Sequence, residues 1–426
     1  ITLTLHIDDI ADALPQAQFM ADAWFLDGFS PSRNGAMWDA ELFPLIAGRC
    51  KPGAVAATFT VARAVRDGLS AAGFKVAKRP GFGRKRDRLE AVFQDAQHKQ
   101  ADPFALRSPQ DPPKRIAVLG AGIAGAATAH AAQSAGITPV VFDPAGPASA
   151  ASGNPLALVM PRLDASDTVQ ARLLVDAYLH AREFYSGLPG VEQVEVRQPP
   201  RNEEERARFA KVLLDPPLPL EDLEALADGG LLHKGALILR PKDVIDALLT
   251  DVETQVGTAP DVDLEACSVG GQSFDAIVIA SGMALSETAP WLGLVGKLGQ
   301  VEHVSSAPDA PASALAAGHY ALATGAERLW GATFEHTDSL DPQISPSAFE
   351  ANATALNRLS PWWLSQIRGA DIESRAGIRA TTPDRLPIGG ALPDLDAAKE
   401  LFAPLSTGRE VRADAPIHKG IYLIGG

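Results

Sequence analysis

The segment Gly120-Ala-Gly122-Ile-Ala-Gly125 constrains this chain more than any other. It follows a short apolar run, Arg115 to Leu119, and opens an alanine-rich stretch ending at Gly136. A second apolar run, Thr138 to Phe142, finishes on Asp143. A strand, a glycine turn, a helix and an acid-terminated strand make the unit that holds a dinucleotide. Gly120 permits the turn, Gly122 lets the backbone approach a diphosphate, and Gly125 lets the helix pack close. The helix N-terminus then offers free N–H groups to the phosphates. Asp143 lies 18 residues beyond Gly125, where an acid can hydrogen-bond a ribose hydroxyl. Such units usually open a protein, but here a long stretch precedes it and carries the signals of a second enzyme.

The 426 residues allow two or three domains, and 46% hydrophobic with 21% charged residues is ordinary for a globular chain. No run approaches the roughly 20 apolar residues of a membrane span, so no membrane association is predicted. Cys50 and Cys267 have no metal-ligand or redox spacing, which predicts a reducing cytoplasm. A formal charge of −14 argues against indiscriminate nucleic-acid binding and leaves a local patch as the route to RNA. Lys75, Lys78, Arg79, Arg84, Lys85, Arg86 and Arg88 form such an island around the single acid Asp87. Ile1 is not a start methionine, and both ends read as cut, so the chain is expected to be an internal fragment.

Residues 1 to 95 alternate strands and helices, beginning with a strand from Ile1 to Ile7. A helix stopped by Gly73 is followed by two strands, Phe74 to Arg79 and Arg88 to Phe93, the antiparallel end of a doubly wound methyltransferase sheet. The strand ending at Asp27 is placed in the middle of that sheet, with its acid facing the ligand crevice. An amine must lose a proton before it can attack a methyl group, and a carboxylate such as Asp27 can take it. Phe29 can stack on a base or line the methyl-donor pocket. Residues 96 to 114, rich in Gln, Asp and Pro, read as a linker. Residues 115 to 426 read as a nucleotide domain in two parts, about 115–290 and 370–426, with an inserted antiparallel-sheet substrate subdomain over about 291–369. Within them, 187 to 236 reads as irregular and Ser347 to Arg368 as one helix.

FAD is favoured over NAD by Ala151-Ser152-Gly153-Asn154, where small residues let the backbone approach a bulky ring. The strands ending Ala280-Ser281-Gly282 and Gly425-Gly426 support the same cofactor. If the substrate carries a carboxylate, Arg379 or Arg385 can clamp it, with Arg162 a weaker candidate. The fold expected is α/β: the C-terminal part of a doubly wound methyltransferase domain, then an FAD-binding Rossmann-type domain with its substrate insert.

These segments resemble the MnmC family of bifunctional tRNA wobble-uridine enzymes. Asp22-Ala-Trp-Phe-Leu-Asp-Gly-Phe-Ser-Pro31, Met37-Trp38, Ala57-Thr-Phe-Thr60 and Gly81-Phe-Gly-Arg-Lys-Arg86 resemble its methyltransferase half. Arg115 to Asp143, Ala151 to Asn154, Leu298-Gly-Gln300, Arg379 and Asp384-Arg-Leu-Pro387 resemble its FAD-dependent half, which is similar to the glycine and D-amino-acid oxidases. The resemblance implies oxidation of a carboxymethylaminomethyl group on uridine, hydrolysis to a primary amine, then methylation with Asp27 as base. It implies FAD as a cofactor with Gln300 among its contacts, and S-adenosylmethionine as methyl donor, with its glycine loop expected ahead of Ile1. The implied partner is a tRNA anticodon loop, and no protein partner is evident. A related pattern has His where Arg385 stands. Two readings stay open beside it: a stand-alone flavin amine oxidase of the glycine oxidase type, and an RNA-binding protein whose flavin is structural.

Overall fold

The computed structural model describes residues 9–16, 19–28, 33–81, 86–94, 112–308, 310–367, 369–409, 411 and 413–426. The chain divides into two compact units, Ile1–Ala105 with Ala403–Ala415, and Leu106–Phe402 with Pro416–Gly426.

In the first unit four strands lie in the order Ala21–Phe25, Cys50–Thr58, Asp87–Phe93, Phe74–Pro80. The first pair is parallel and the other two pairs are antiparallel. Helix Arg63–Ala71 buries Val65 and Leu69, four residues apart on one face. It ends where Gly73 takes a left-handed conformation, φ 91°. The chain then returns as the expected antiparallel pair, with the Phe74 and Phe93 rings 5.1 Å apart. The expected strand over 1–7 lies outside the described residues. Among the described residues, the strand leading to Asp27 therefore stands at the sheet edge rather than in its middle. A helix at Ile10–Gln16 escaped the sequence reading because it contains Pro15.

The second unit is built on two sheets. One has six strands in the order Glu253–Val256, Thr138–Asp143, Arg115–Leu119, Ala276–Ile279, Ile417–Gly425, Ile388–Pro393. All neighbours are parallel except the last pair. Its central strands read as unbroken apolar runs because both faces are covered; Ala117, Val118, Val140, Val141 and Ile277 are fully buried. Helix Ile123–Ser134 packs its buried Ala126 and Ala129 into the same core.

The other sheet has ten strands and is antiparallel except where Ala310–Ala317 runs parallel to Val191–Gln198. It corrects two expectations. Residues 187 to 236 are not irregular: they hold strand Val191–Gln198, helix Glu203–Leu214 and strand Leu223–Ala225, and lead into strand Leu231–Leu239. The pairs Pro199-Pro200 and Pro216-Pro217 flank the helix, where a missing N–H costs no internal bond. The sheet thus takes strands from 157 to 239 as well as from 295 to 381, and is not confined to 291–369. The single helix expected over 347–368 is two, Pro346–Leu359 and Pro361–Gln366. Ser360, extended at φ −166° and ψ 115°, breaks it because a residue before proline is pushed out of the helical region.

His233, 1% exposed in strand Leu231–Leu239, sets its Nε2 2.8 Å from Gln198 Oε1, while its Nδ1 has no partner. Burial drops its pKa from 6.5 to about 4. The folded value lies below the unfolded one, so the unfolded chain takes up the proton first on acidification. Stability is whole above pH 6.5 and is lost as pH falls towards 4. We expect acidification from pH 7 to pH 5 to cost the wild type about 2 kcal/mol more than His233→Gln, by urea unfolding at each pH. Equal losses in the two proteins would contradict a buried neutral imidazole.

Candidate flavin and substrate site

The glycine turn is built by close backbone packing. Gly120 has φ 110°, and a Cβ there would sit 2.5 Å from the Ala280 carbonyl. A Cβ on Gly125 would sit 1.9 Å from the Gly120 carbonyl, so neither position admits a side chain. Asp143 and Ser152 hold the turn from either side. The Asp143 carboxylate accepts the Ala121 amide through Oδ2 at 2.8 Å, and the Ala145 and Gly146 amides through Oδ1 at 3.0 Å each. Ser152 Oγ accepts the Ile123 amide at 3.0 Å. The next amides of helix Ile123–Ser134 have no intrahelical acceptor and point out of its N-terminus. Asp143 Oδ2 keeps acceptor capacity beyond Ala121. This donor and acceptor set fits the diphosphate and ribose of a dinucleotide.

Gly425 ends its strand beside Ala276–Ile279, at the same carboxyl end of the sheet as Ala280. Gly426 follows at φ 109°, its Cβ position 3.0 Å from the Leu386 carbonyl.

The residues 149–154 are fastened by an arginine the sequence reading did not single out. Arg375 donates to Asn154 Oδ1 at 3.2 Å and to the Ser149 and Ala150 carbonyls at 3.0 and 2.7 Å. Burial lowers its pKa without approaching neutrality. Gly153 has to be glycine, because a Cβ would meet Arg375 Nη2 at 2.3 Å and the Ala148 carbonyl at 2.1 Å.

Arg375 belongs to strand Glu373–Thr381, and strand alternation puts Gly377 and Arg379 on its face. At about 3.3 Å per residue, Arg379 lies about 13 Å along the strand from Arg375. Between them Gly377 pairs with Gly299 of strand Val295–Val304, leaving a stretch with no side chain. Arg379 sets its Cζ 4.0 Å above the exposed Phe334 ring, and a Cβ on Gly299 would crowd its Nη2 at 3.1 Å. Burial lowers the Arg379 pKa although the residue as a whole is open to solvent; the Tyr320 phenol opposes that shift. Burial in turn raises the Tyr320 pKa, with Arg379 acting against it. Among the described residues no carboxylate neutralises Arg379.

Gln300 is a correction. Pleat alternation turns it away from Gly299, and it is 1% exposed, leaving no surface for a cofactor. Its Nε2 donates to Glu302 at 2.9 Å and its Oε1 accepts the Ser345 amide at 2.8 Å. Asn352 and Ser374 also donate to Glu302, completing a buried polar knot that joins the sheet to helix Pro346–Leu359. Arg385 is exposed in the turn 382–386 at φ 63°, and its amide donates to the Thr382 carbonyl at 3.1 Å. Arg162 lines a different cleft, with Arg201 and Arg208.

In the first unit Asp27 is exposed just past strand Ala21–Phe25. The adjoining Gly28 packs on Met37 and Trp38, with its Cβ position 3.0 Å from Met37 Cε. Phe29 lies outside the described residues. The basic island is partly neutralised: Lys78 pairs with Asp87 at 2.8 Å, and Arg79 and Arg88 with Glu90 at 3.4 and 2.5 Å. Arg84 and Lys85 lie outside the described residues. Among the described residues no group of acids, histidines and cysteines could hold a metal, and no helix is long and apolar enough to cross a membrane.

The family model for S-adenosyl-L-methionine-dependent methyltransferases matches residues 1–94, and that for FAD dependent oxidoreductases matches 115–426. The bifunctional protein MnmC of tRNA 5-methylaminomethyl-2-thiouridine biosynthesis from Caulobacter vibrioides is 39% identical over 404 residues, covering 91% of this chain and 66% of that protein. Its counterpart from Magnetococcus marinus is 32% identical over 476 residues, covering 100% of this chain and 71% of that protein. The chain belongs to the MnmC family. It spans about two thirds of the length of the MnmC proteins it matches. Over 72% of its length the chain is similar in fold to iminodiacetate oxidase from Chelativorans sp. BNC1, covering 99% of that chain with TM-score 0.53 and 17% identity. Glycine oxidase from Geobacillus kaustophilus is alike at TM-score 0.52 and 20% identity, over 74% and 89%.

Arg375→Ala removes three charged hydrogen bonds from residues 149–154. Charged hydrogen bonds contribute about 1.5–3 kcal/mol each, so we expect FAD affinity to fall at least tenfold, with Arg375→Lys intermediate. FAD titration followed by flavin fluorescence measures this, and wild-type affinity in the alanine variant would contradict the role.

Proposed function

We propose that this chain performs two consecutive steps on a tRNA wobble uridine. The first is FAD-dependent removal of the carboxymethyl group from carboxymethylaminomethyl-(thio)uridine. The second is S-adenosylmethionine-dependent methylation of the amine left behind. One observation carries the reading: a single strand face presents Arg375, which fastens residues 149–154, and Arg379, a cation with no carboxylate partner among the described residues. The bare Gly299–Gly377 pair lies between them. The names of the MnmC relatives support the substrate. We take residues 1–95 as the methyltransferase part, 96–114 as a linker and 115–426 as the oxidoreductase part. The working compartment is the cytoplasm, and the chain acts on the anticodon loop without a protein partner.

FAD, when bound, supplies the two-electron acceptor for the C–N bond. The Gly120–Gly125 turn and helix N-terminus would hold its diphosphate, and Asp143 would accept from its ribose. Ser152, Gly153 and Asn154, anchored by Arg375, would line the cofactor's path. Arg379 takes the substrate carboxylate in its guanidinium fork, over the glycine pair, while Phe334 covers one face of that fork. The oxidised C=N bond adds water and breaks, releasing a two-carbon oxo-acid and the primary amine. Asp27 then accepts the ammonium proton, so that the nitrogen lone pair attacks the methyl group. The base reaches either pocket splayed out of its loop.

Nucleoside analysis of tRNA incubated with the chain, with and without S-adenosylmethionine, tests the reading. Loss of the carboxymethyl group is expected, with Arg379→Gln about 100-fold slower if the fork contributes about 2–3 kcal/mol. Asp27→Asn is expected to accumulate the aminomethyl nucleoside. No loss of the carboxymethyl group, with flavin bleached by glycine instead, would favour a small-molecule amine oxidase.

A further inference from the structure

The ten-stranded sheet carries a second polar site. A cleft of about 230 Å³ lies between the end of strand Val191–Gln198, helix Glu203–Leu214 and the turn at Gly318. Arg162, Arg201 and Arg208 line it against one carboxylate, Glu205. Glu205 is 8% exposed and works as a scaffold. It accepts from Arg201 Nε and Nη2 at 3.0 and 3.1 Å, and from Arg208 Nη2 at 2.8 Å. The Arg201 hydrogen bond is the first cause holding the Glu205 pKa below the usual range, so this scaffold stays charged at neutral pH.

The guanidiniums of Arg201 and Arg208 share the Glu205 carboxylate, and Arg208 also acts on nearby Asp164, outside the cleft lining; N–H groups are left over. Arg162 adds a third, with no hydrogen bond or ion pair among the described residues. Gly318, at φ 78°, keeps the wall thin: its Cβ would lie 3.2 Å from Arg201 Cδ and Nη1. The basic lining continues past Arg208 to Lys211 in an adjoining cleft of about 440 Å³, where Glu204 is the added acid.

One hairpin links the cleft to Tyr320. Gly318 joins strand Ala310–Ala317 to His319–Gly325, and two residues on, Tyr320 is the phenol that acts on Arg379. A strand that delivers its modified base to Arg379 is then within reach of the cleft across one hairpin. We propose that the Arg162, Arg201 and Arg208 cleft binds a backbone phosphate of the tRNA. The inference rests on the two-step reading above. On a chain of net charge −14, three guanidiniums at one concave point make a local anion site, and planar forks suit phosphate oxygens.

Arg162 is the clean probe, because removing it leaves the Glu205 scaffold intact. The experiment measures tRNA affinity of the full, FAD-loaded chain at several salt concentrations. Arg162→Gln is expected to weaken binding about threefold and Arg162→Glu about tenfold. The slope of log affinity against log salt should shrink by about 0.7–0.9, one phosphate contact. FAD affinity should stay unchanged. Unaltered affinity and slope in both variants, while the wild type still binds and converts tRNA, would overturn this site and leave the two-step reading standing. Inorganic phosphate protecting the cleft in the wild type, with tRNA affinity unmoved by either variant, would make it a free-anion site and also overturn it. A wild type that binds no tRNA overturns both.

Discussion

Side chains on a β-strand alternate between faces, and in strand Glu373–Thr381 that alternation ties residues 149–154, through Arg375, to the face that carries Arg379. Arg375, Gly377 and Arg379 share a face at two-residue spacing. Arg375 reaches residues 149–154 behind the glycine turn, and Arg379 stands about 13 Å further on, which is the strand rise over four residues. Both side chains spring from one continuous strand held against Val295–Val304 by nine residue pairs, which keeps it extended and fixes their separation. The Gly299–Gly377 pair leaves the intervening surface free of side chains.

The opposite face of the same ladder is structural. Gln300, Glu302 and Ser374 turn into the sheet–helix layer, where Asn352 donates to the Gln300 carbonyl and to Glu302, and Ser374 donates to Glu302. Such a network is costly to leave half made, so it fixes the register of the two strands. A one-residue slip of strand Glu373–Thr381 would exchange its faces, bringing Ser374 to the open side and burying the arginines. The glycine turn is held in a comparable way: Asp143 and Ser152 clamp the amides of Ala121 and Ile123, leaving the rest of the first helical turn open to a diphosphate.

Much of this was legible from residue order. The Gly120–Gly125 turn announced itself because a Cβ would collide with backbone at Gly120 and Gly125. The strand that ends before Asp27 and the antiparallel pair after Gly73 followed from apolar runs and turn residues. Residues 187–236 read as irregular from sequence because paired prolines at the joints of the helix interrupt its pattern on both sides. Arg375 was invisible for a different reason: a lone arginine gains meaning only when the strand, its register and the distant residues 149–154 are known. The spacing Arg375, Gly377, Arg379 was the available signal. The same ignorance of register put weight on Gln300, when its neighbour Gly299 is the residue on the working face.

The central claim is that Arg379, over the glycine pair, is the carboxylate-binding cation beside the flavin. The direct measurement is titration of the FAD-loaded chain with glycolate, followed through the flavin absorption band. The account predicts a saturable spectral change that Arg379→Gln abolishes and Arg385→Gln leaves intact. A change that survives in Arg379→Gln and disappears in Arg385→Gln would contradict it.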